Sequence, residues 1–88
     1  MAYIIQNVEG NPTVIAGEHI TAGPYAGIDV LPAFTTREKA RAYADSYPSL
    51  QKGVVAPCNL DHFAREYKRI KRRRLHVVMD RLPYGVWS

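Results

Sequence analysis

The sequence predicts an α+β or α/β fold: a two-layer sandwich with a mixed sheet of about five strands in the order β-β-β-α-β-α-β and two helices on one face. Three observations carry this expectation. Runs rich in β-branched and aromatic residues fill the first third of the chain. Two later stretches place apolar residues at the 3.6-residue period of a helix. Each of these stretches is followed by a short apolar run of strand composition, the pattern of strand–helix–strand units.

Taken in order, YIIQNV (3–8) and TVIAGEHI (13–20) read as the arms of an antiparallel hairpin, with Gly10, Asn11 and Pro12 supplying the turn. TAGPYAG (21–27) is too dense in glycine and proline for regular structure and reads as a loop. IDVLPAF (28–34) is a third strand, expected at a sheet edge because Pro32 cannot donate a ladder hydrogen bond. In TTREKARAYADSYP (35–48), Thr35 and Glu38 have capping-box spacing. Ala40, Tyr43, Ala44 and Tyr47 form one helical stripe there, and Pro48 marks its end.

KGVVAPC (52–58) reads as a buried strand. Asn59 then caps a second helix on which Leu60, Phe63, Ala64, Tyr67 and Ile70 share a face. LHVVMD (75–80) has strand composition, with Leu75, Val77 and Met79 on one side. Residues 1–82 are expected to form a single domain, and residues 83–88 an aromatic tail. In that tail Tyr84 and Trp87 either fold back or meet a partner.

At 88 residues the chain has room for one core, and right-handed crossovers between sequential strands would put both helices on the same face. Dimerisation would add buried area to so small a domain, which makes a homodimer a candidate state. A single cysteine, Cys58, excludes an internal disulfide and suits a reducing compartment. MAYIIQNVEG has neither a basic start nor a long apolar run, so it does not read as a secretory signal. No stretch approaches the length of a membrane span, and the expected location is cytoplasmic.

The formal net charge is +4, unevenly placed. Residues 51–88 hold nine Lys/Arg against three Asp/Glu, whereas residues 1–50 hold three against five. The excess is concentrated in KRIKRRR: Lys68, Arg69, Lys71, Arg72, Arg73 and Arg74, interrupted only by Ile70. Continued as a helix, this run would set Lys71 at about 20° and Arg74 at about 320° from Leu60, inside the apolar stripe. A packed helix cannot hold them there, so it must end around Ile70 to Arg72 or overhang the sheet.

Cations in a last helical turn offset the negative dipole end by about 0.3–1 kcal/mol each, which accounts for two or three of the six. The surplus points to an anionic partner: an acidic protein surface bound by a small non-enzymatic interaction module. The alternative is a nucleic-acid-associated accessory or inhibitor protein making non-specific phosphate contacts through the same residues. Base-stacking aromatics are not interleaved in the run, and no helix-turn-helix, zinc or RNP-type motif occurs.

Catalytic patterns are sparse. Cys58 and His62 could be drawn as a nucleophile–base pair, but a lone cysteine ending a strand is more commonly a packed hydrophobe. His19, His62 and His76 are too scattered to suggest a metal site, and GPYAG lacks the Lys-Ser/Thr of a phosphate loop. The expectation is no catalysis, no metal and no cofactor.

Pro32, Phe34, Thr35, Thr36, Glu38 and Ala40 resemble the Pro-x-Phe-Thr-Ser-then-helix signature of SseB-type (enhanced serine sensitivity) N-terminal domains. The strand, helix and strand that follow are similar in layout, so the resemblance spans residues 28–80. The Met79-Asp80 close and the basic run depart from that pattern. The resemblance implies an α/β binding module with no catalytic residues to carry over.

Overall fold

Residues 1–84, the part of the chain that this computed structural model describes, form four strands and two helices. These are β1 (Ala2–Gln6), β2 (Asp29–Ala33), α1 (Arg37–Asp45), β3 (Val54–Cys58), α2 (Leu60–Lys71) and β4 (Leu75–Met79). A 3-10 turn spans Gly17–His19. The radius of gyration, 12.3 Å, is close to the roughly 12 Å expected of one compact unit of this length.

The strands pair two by two rather than as one five-stranded sheet. β1 runs antiparallel to β3, and β2 runs parallel to β4. A single antiparallel bridge joins the pairs, in which Tyr3 and Phe34 exchange N–H···O bonds of 2.8 and 2.9 Å. The spatial order is therefore β3-β1-β2-β4.

The expected strand over 13–20 does not form. Its beginning still turns back on β1, with a bridge from Pro12 to Gln6 and a 2.8 Å bond from the Thr13 N–H to the Ile5 carbonyl. Ile15 then bridges to Val30, so this segment lies as a wedge between β1 and the start of β2. At Gly17 the chain leaves the extended path, because its N–H is taken by the Asp29 carboxylate at 2.9 Å.

β2 is central, not an edge, and all five of its residues are buried. Pro32 is tolerated because backbone groups alternate in direction along a strand. Val30 and Phe34 send their N–H groups toward the β1 side, so the missing Pro32 N–H falls between those two bridges.

The helices cover opposite faces, which corrects the expectation of two helices on one. Ile5 on one side of β1 packs with Phe34, Ala40, Tyr43 and Ala44, the α1 layer. Ala2 and Ile4 on the other side pack with Leu31, Ala33, Leu60 and Phe63, the α2 layer. The crossover from β2 to β3 travels one way across the sheet and that from β3 to β4 travels back. Crossovers of one hand in opposite directions must use opposite faces.

Both helix starts are capped. Thr36, not Thr35, caps α1, its hydroxyl accepting from the Lys39 N–H at 3.2 Å. Thr35 is engaged elsewhere: its N–H and hydroxyl both donate to Asp80, which sits at φ 53° just after β4. Asn59 caps α2 as its sequence position suggests, accepting from the His62 N–H at 3.1 Å.

Gly17 is fixed by space as well as by its hydrogen bond. A Cβ there would stand 2.4 Å from the Gly27 carbonyl carbon and 2.6 Å from the Ile28 nitrogen, all rigid backbone. Gly17→Ala should therefore destabilise the protein by about 2–3 kcal/mol in a urea titration. A stability unchanged within error would show that the two loops do not pack as closely as described.

A basic corner as candidate functional site

The basic run straddles the end of α2. The helix stops at Lys71 because Arg72 turns into the left-handed region, φ 55°, where its N–H bonds the Lys68 carbonyl. A glycine would hold that conformation more cheaply, by about 1 kcal/mol or more. The αL turn swings Arg73 and Arg74 off the helix axis and delivers the chain into β4. Of the two cations that the helical projection set in the apolar stripe, Arg74 lies beyond the helix, and Lys71 stays on the stripe at its exposed last turn, beside Ile70.

The six cations do not share one fate. Arg73, itself half exposed, grips the buried Asp29 with two parallel bonds, Nε to Oδ2 and Nη2 to Oδ1, each 2.9 Å. Asp29 is only 3% exposed, and it also accepts from the Gly17 N–H and the Tyr67 hydroxyl. A buried carboxylate needs such donors, since desolvating an unpaired charge costs several kcal/mol. The Arg73 guanidinium holds the Asp29 carboxyl far below the usual range against the opposing effect of burial, with the Tyr67 and Gly17 bonds adding to the depression. Burial pushes the Tyr67 hydroxyl up to about 12, and its bond to the Asp29 carboxylate acts in the same direction.

Arg69 is paired as well, its Nε lying 3.2 Å from the Glu66 carboxylate one turn back. Lys68, Lys71, Arg72 and Arg74 make no ion pair among the described residues. Beside them Ile70 is 63% exposed. It lines a groove of about 560 Å³ with Phe63, Tyr67 and Lys71 on one wall and Pro12 and Val14 on the other.

Tyr84, the other site candidate within the described residues, folds back onto the domain. Its ring lies 4.6 Å from that of Tyr47, extending a row that runs through Tyr43 to Phe34. Its N–H donates to the Tyr47 hydroxyl at 2.6 Å, and its own hydroxyl donates to the Ser46 carbonyl. Trp87 lies outside the described residues.

Burial raises the pKa of the Cys58 thiol above its usual value, the reverse of what nucleophile activation requires. Among the described residues, no group of three or more His, Cys, Asp or Glu is placed to hold a metal ion. Also among them, no helix is long and apolar enough to cross a membrane.

Sequence reasoning missed Asp29. Its signal was present: a carboxylate opening an otherwise apolar strand, IDVLPAF, must find donors if that strand is buried. Tyr67 was legible only as a core residue. Its ring does stack near Phe63, at 6.1 Å, while its hydroxyl serves Asp29.

No family model, curated protein or solved structure matches this chain.

Because the native Asp29 pKa is depressed, the stability it contributes is present above its unfolded value, near 4. That contribution is lost as pH falls from there toward the native value. Asp29→Asn should lower stability at pH 7 by about 2–3 kcal/mol through its weakened bonds to Arg73 and the buried donors. Thermal melts should show the variant less sensitive than the parent chain between pH 5 and 2.5, both values chosen to bracket the titration of an ordinary carboxyl at about 3.9. Parallel pH profiles would remove Asp29 from that role.

Proposed function

We propose that this protein is a small non-enzymatic binding module that holds an acidic segment of a protein partner at the corner formed by the end of α2. One observation carries the reading: among the described residues Lys68, Lys71, Arg72 and Arg74 are left without acid partners, while Arg69 and Arg73 are satisfied internally. Internal structure thus uses two of the six cations, and the remaining four are concentrated at one corner of a chain that carries +4 overall.

A protein ligand suits this corner better than nucleic acid. The exposed apolar residue among the cations is aliphatic, Ile70, and the neighbouring aromatic, Tyr67, is committed to Asp29. Among the described residues no exposed aromatic is interleaved with the four spare cations as a stacking platform for bases. The resemblance of residues 28–80 to SseB-type domains, which bring no catalytic residues, agrees with a binding role in the cytoplasm.

Fluorescence anisotropy with a labelled peptide of alternating glutamate and valine tests the reading, alongside single- and double-stranded DNA and RNA across a salt series. The peptide should bind, weaken as salt rises, and lose at least about tenfold affinity with the Arg72→Ser, Arg74→Ser double variant. Preference for nucleic acid at physiological salt, with a steep salt slope, would replace this reading with phosphate binding.

A further inference from the structure

The two outer strands of this fold are covered to different extents. Successive residues of an edge strand direct their backbone groups alternately toward the neighbouring strand and toward solvent. In β3 the outward residues are Val55 and Pro57, with Gly53 preceding them, since Tyr3 of β1 bonds away from β3. Arg41 Nη1 donates to the Gly53 carbonyl at 2.8 Å and Arg37 Nη1 to the Val55 carbonyl at 3.4 Å. The Gly53 N–H is used by Leu50, and Pro57 has no N–H to offer. Of the outward groups on that edge, the Val55 N–H has no partner among the described residues, so the edge is covered in part.

β4 has no such cover. Its Asp80 end bonds the Ala33 carbonyl at 2.8 Å, with Met79 opposite Ala33 in a parallel register. Alternation then turns the N–H groups of His76 and Val78 toward β2 and those of Leu75, Val77 and Met79 outward. None of these three outward N–H groups has a partner among the described residues. The strand holds no proline, glycine, lysine or acid, and Met79 is 41% exposed at its end. Within the described residues the chain turns away from this edge, Tyr84 being drawn back onto Tyr47 and Ser46.

We propose that the acidic segment docks as an added strand along the outer edge of β4. Its backbone bonds Leu75, Val77 and Met79, and its carboxylates meet Arg72 and Arg74 at the start of the strand. This rests on the reading of the corner as an acidic-protein site and adds the way in which the partner is held. Five residues of β4 offer about 17 Å of template, with the arginines immediately before it. Charge complementarity selects the occupant. A second copy of this chain would bring the same net +4 to the edge, whereas an acidic strand neutralises the spare cations.

Amide hydrogen exchange followed by NMR, with and without the glutamate–valine peptide, tests the mode separately from the site. Saturation should slow exchange at Leu75, Val77 and Met79 by at least about tenfold, with smaller changes at His76 and Val78, already bonded to β2. Val77→Pro removes one outward N–H and no ladder bond, so it should weaken the peptide while leaving a cooperative melt. Peptide binding that needs Arg72 and Arg74 but leaves the three amides unprotected would overturn strand addition and keep the corner as the site. An absence of peptide binding would overturn both. Protection of the three amides without peptide, in a particle of twice the mass by sedimentation, would assign the edge to a second copy and overturn the acidic strand.

Discussion

The fold turns on one buried carboxylate. Asp29 opens the central strand β2, and burial obliges it to gather donors from wherever the chain can supply them. Gly17, Tyr67 and Arg73 answer from three different segments. The first demand bends residues 17–19 into a turn where strand composition would have continued. The second fixes the exposed-side rotation of α2, which has no fully buried residue of its own. The third anchors the chain between α2 and β4, directly after the left-handed Arg72. A single desolvated group thus connects the wedge segment, the central strand, the second helix and the last strand.

The same constraint divides the basic run. Charge that looks uniform in KRIKRRR is heterogeneous in space: Arg73 is structural, Arg69 is matched by Glu66, and the others project from the corner. The corner, the exposed Ile70 and the open β4 edge lie next to one another along the chain. The opposite edge is partly covered by Arg37, Arg41 and Pro57.

Much of the fold was legible because local and tertiary demands agree. The strands at 2–6, 29–33, 54–58 and 75–79 and both helices lie within a few residues of their sequence signals, and Asn59 caps where its position suggests. The helix end at Lys71 follows from the cost of turning cations into the core. Features that depend on distant partners were not legible. Segment 13–20 has strand composition, but Asp29 takes its Gly17 N–H. Pro32 suggested an edge because the gap between two bridges that shelters it is a tertiary feature. Helix sidedness was misjudged because β1 slots between β2 and β3, reversing the direction of one crossover. Thr35 and Thr36 both offer a cap, and Asp80, 45 residues away from Thr35, decides between them. In the candidate site, the positions of the cations were legible but their division into anchored and spare was not.

That division is the central claim, and a single-substitution series at the six cations tests it most directly. Urea stability and affinity for the glutamate–valine peptide would be measured for each variant. The account predicts that Arg73→Gln lowers stability, whereas Arg72→Ser and Arg74→Ser leave stability within about 0.5 kcal/mol or raise it and weaken the peptide. Stability losses at Arg72 and Arg74 with Arg73 silent, or equal small effects at all six, would contradict it.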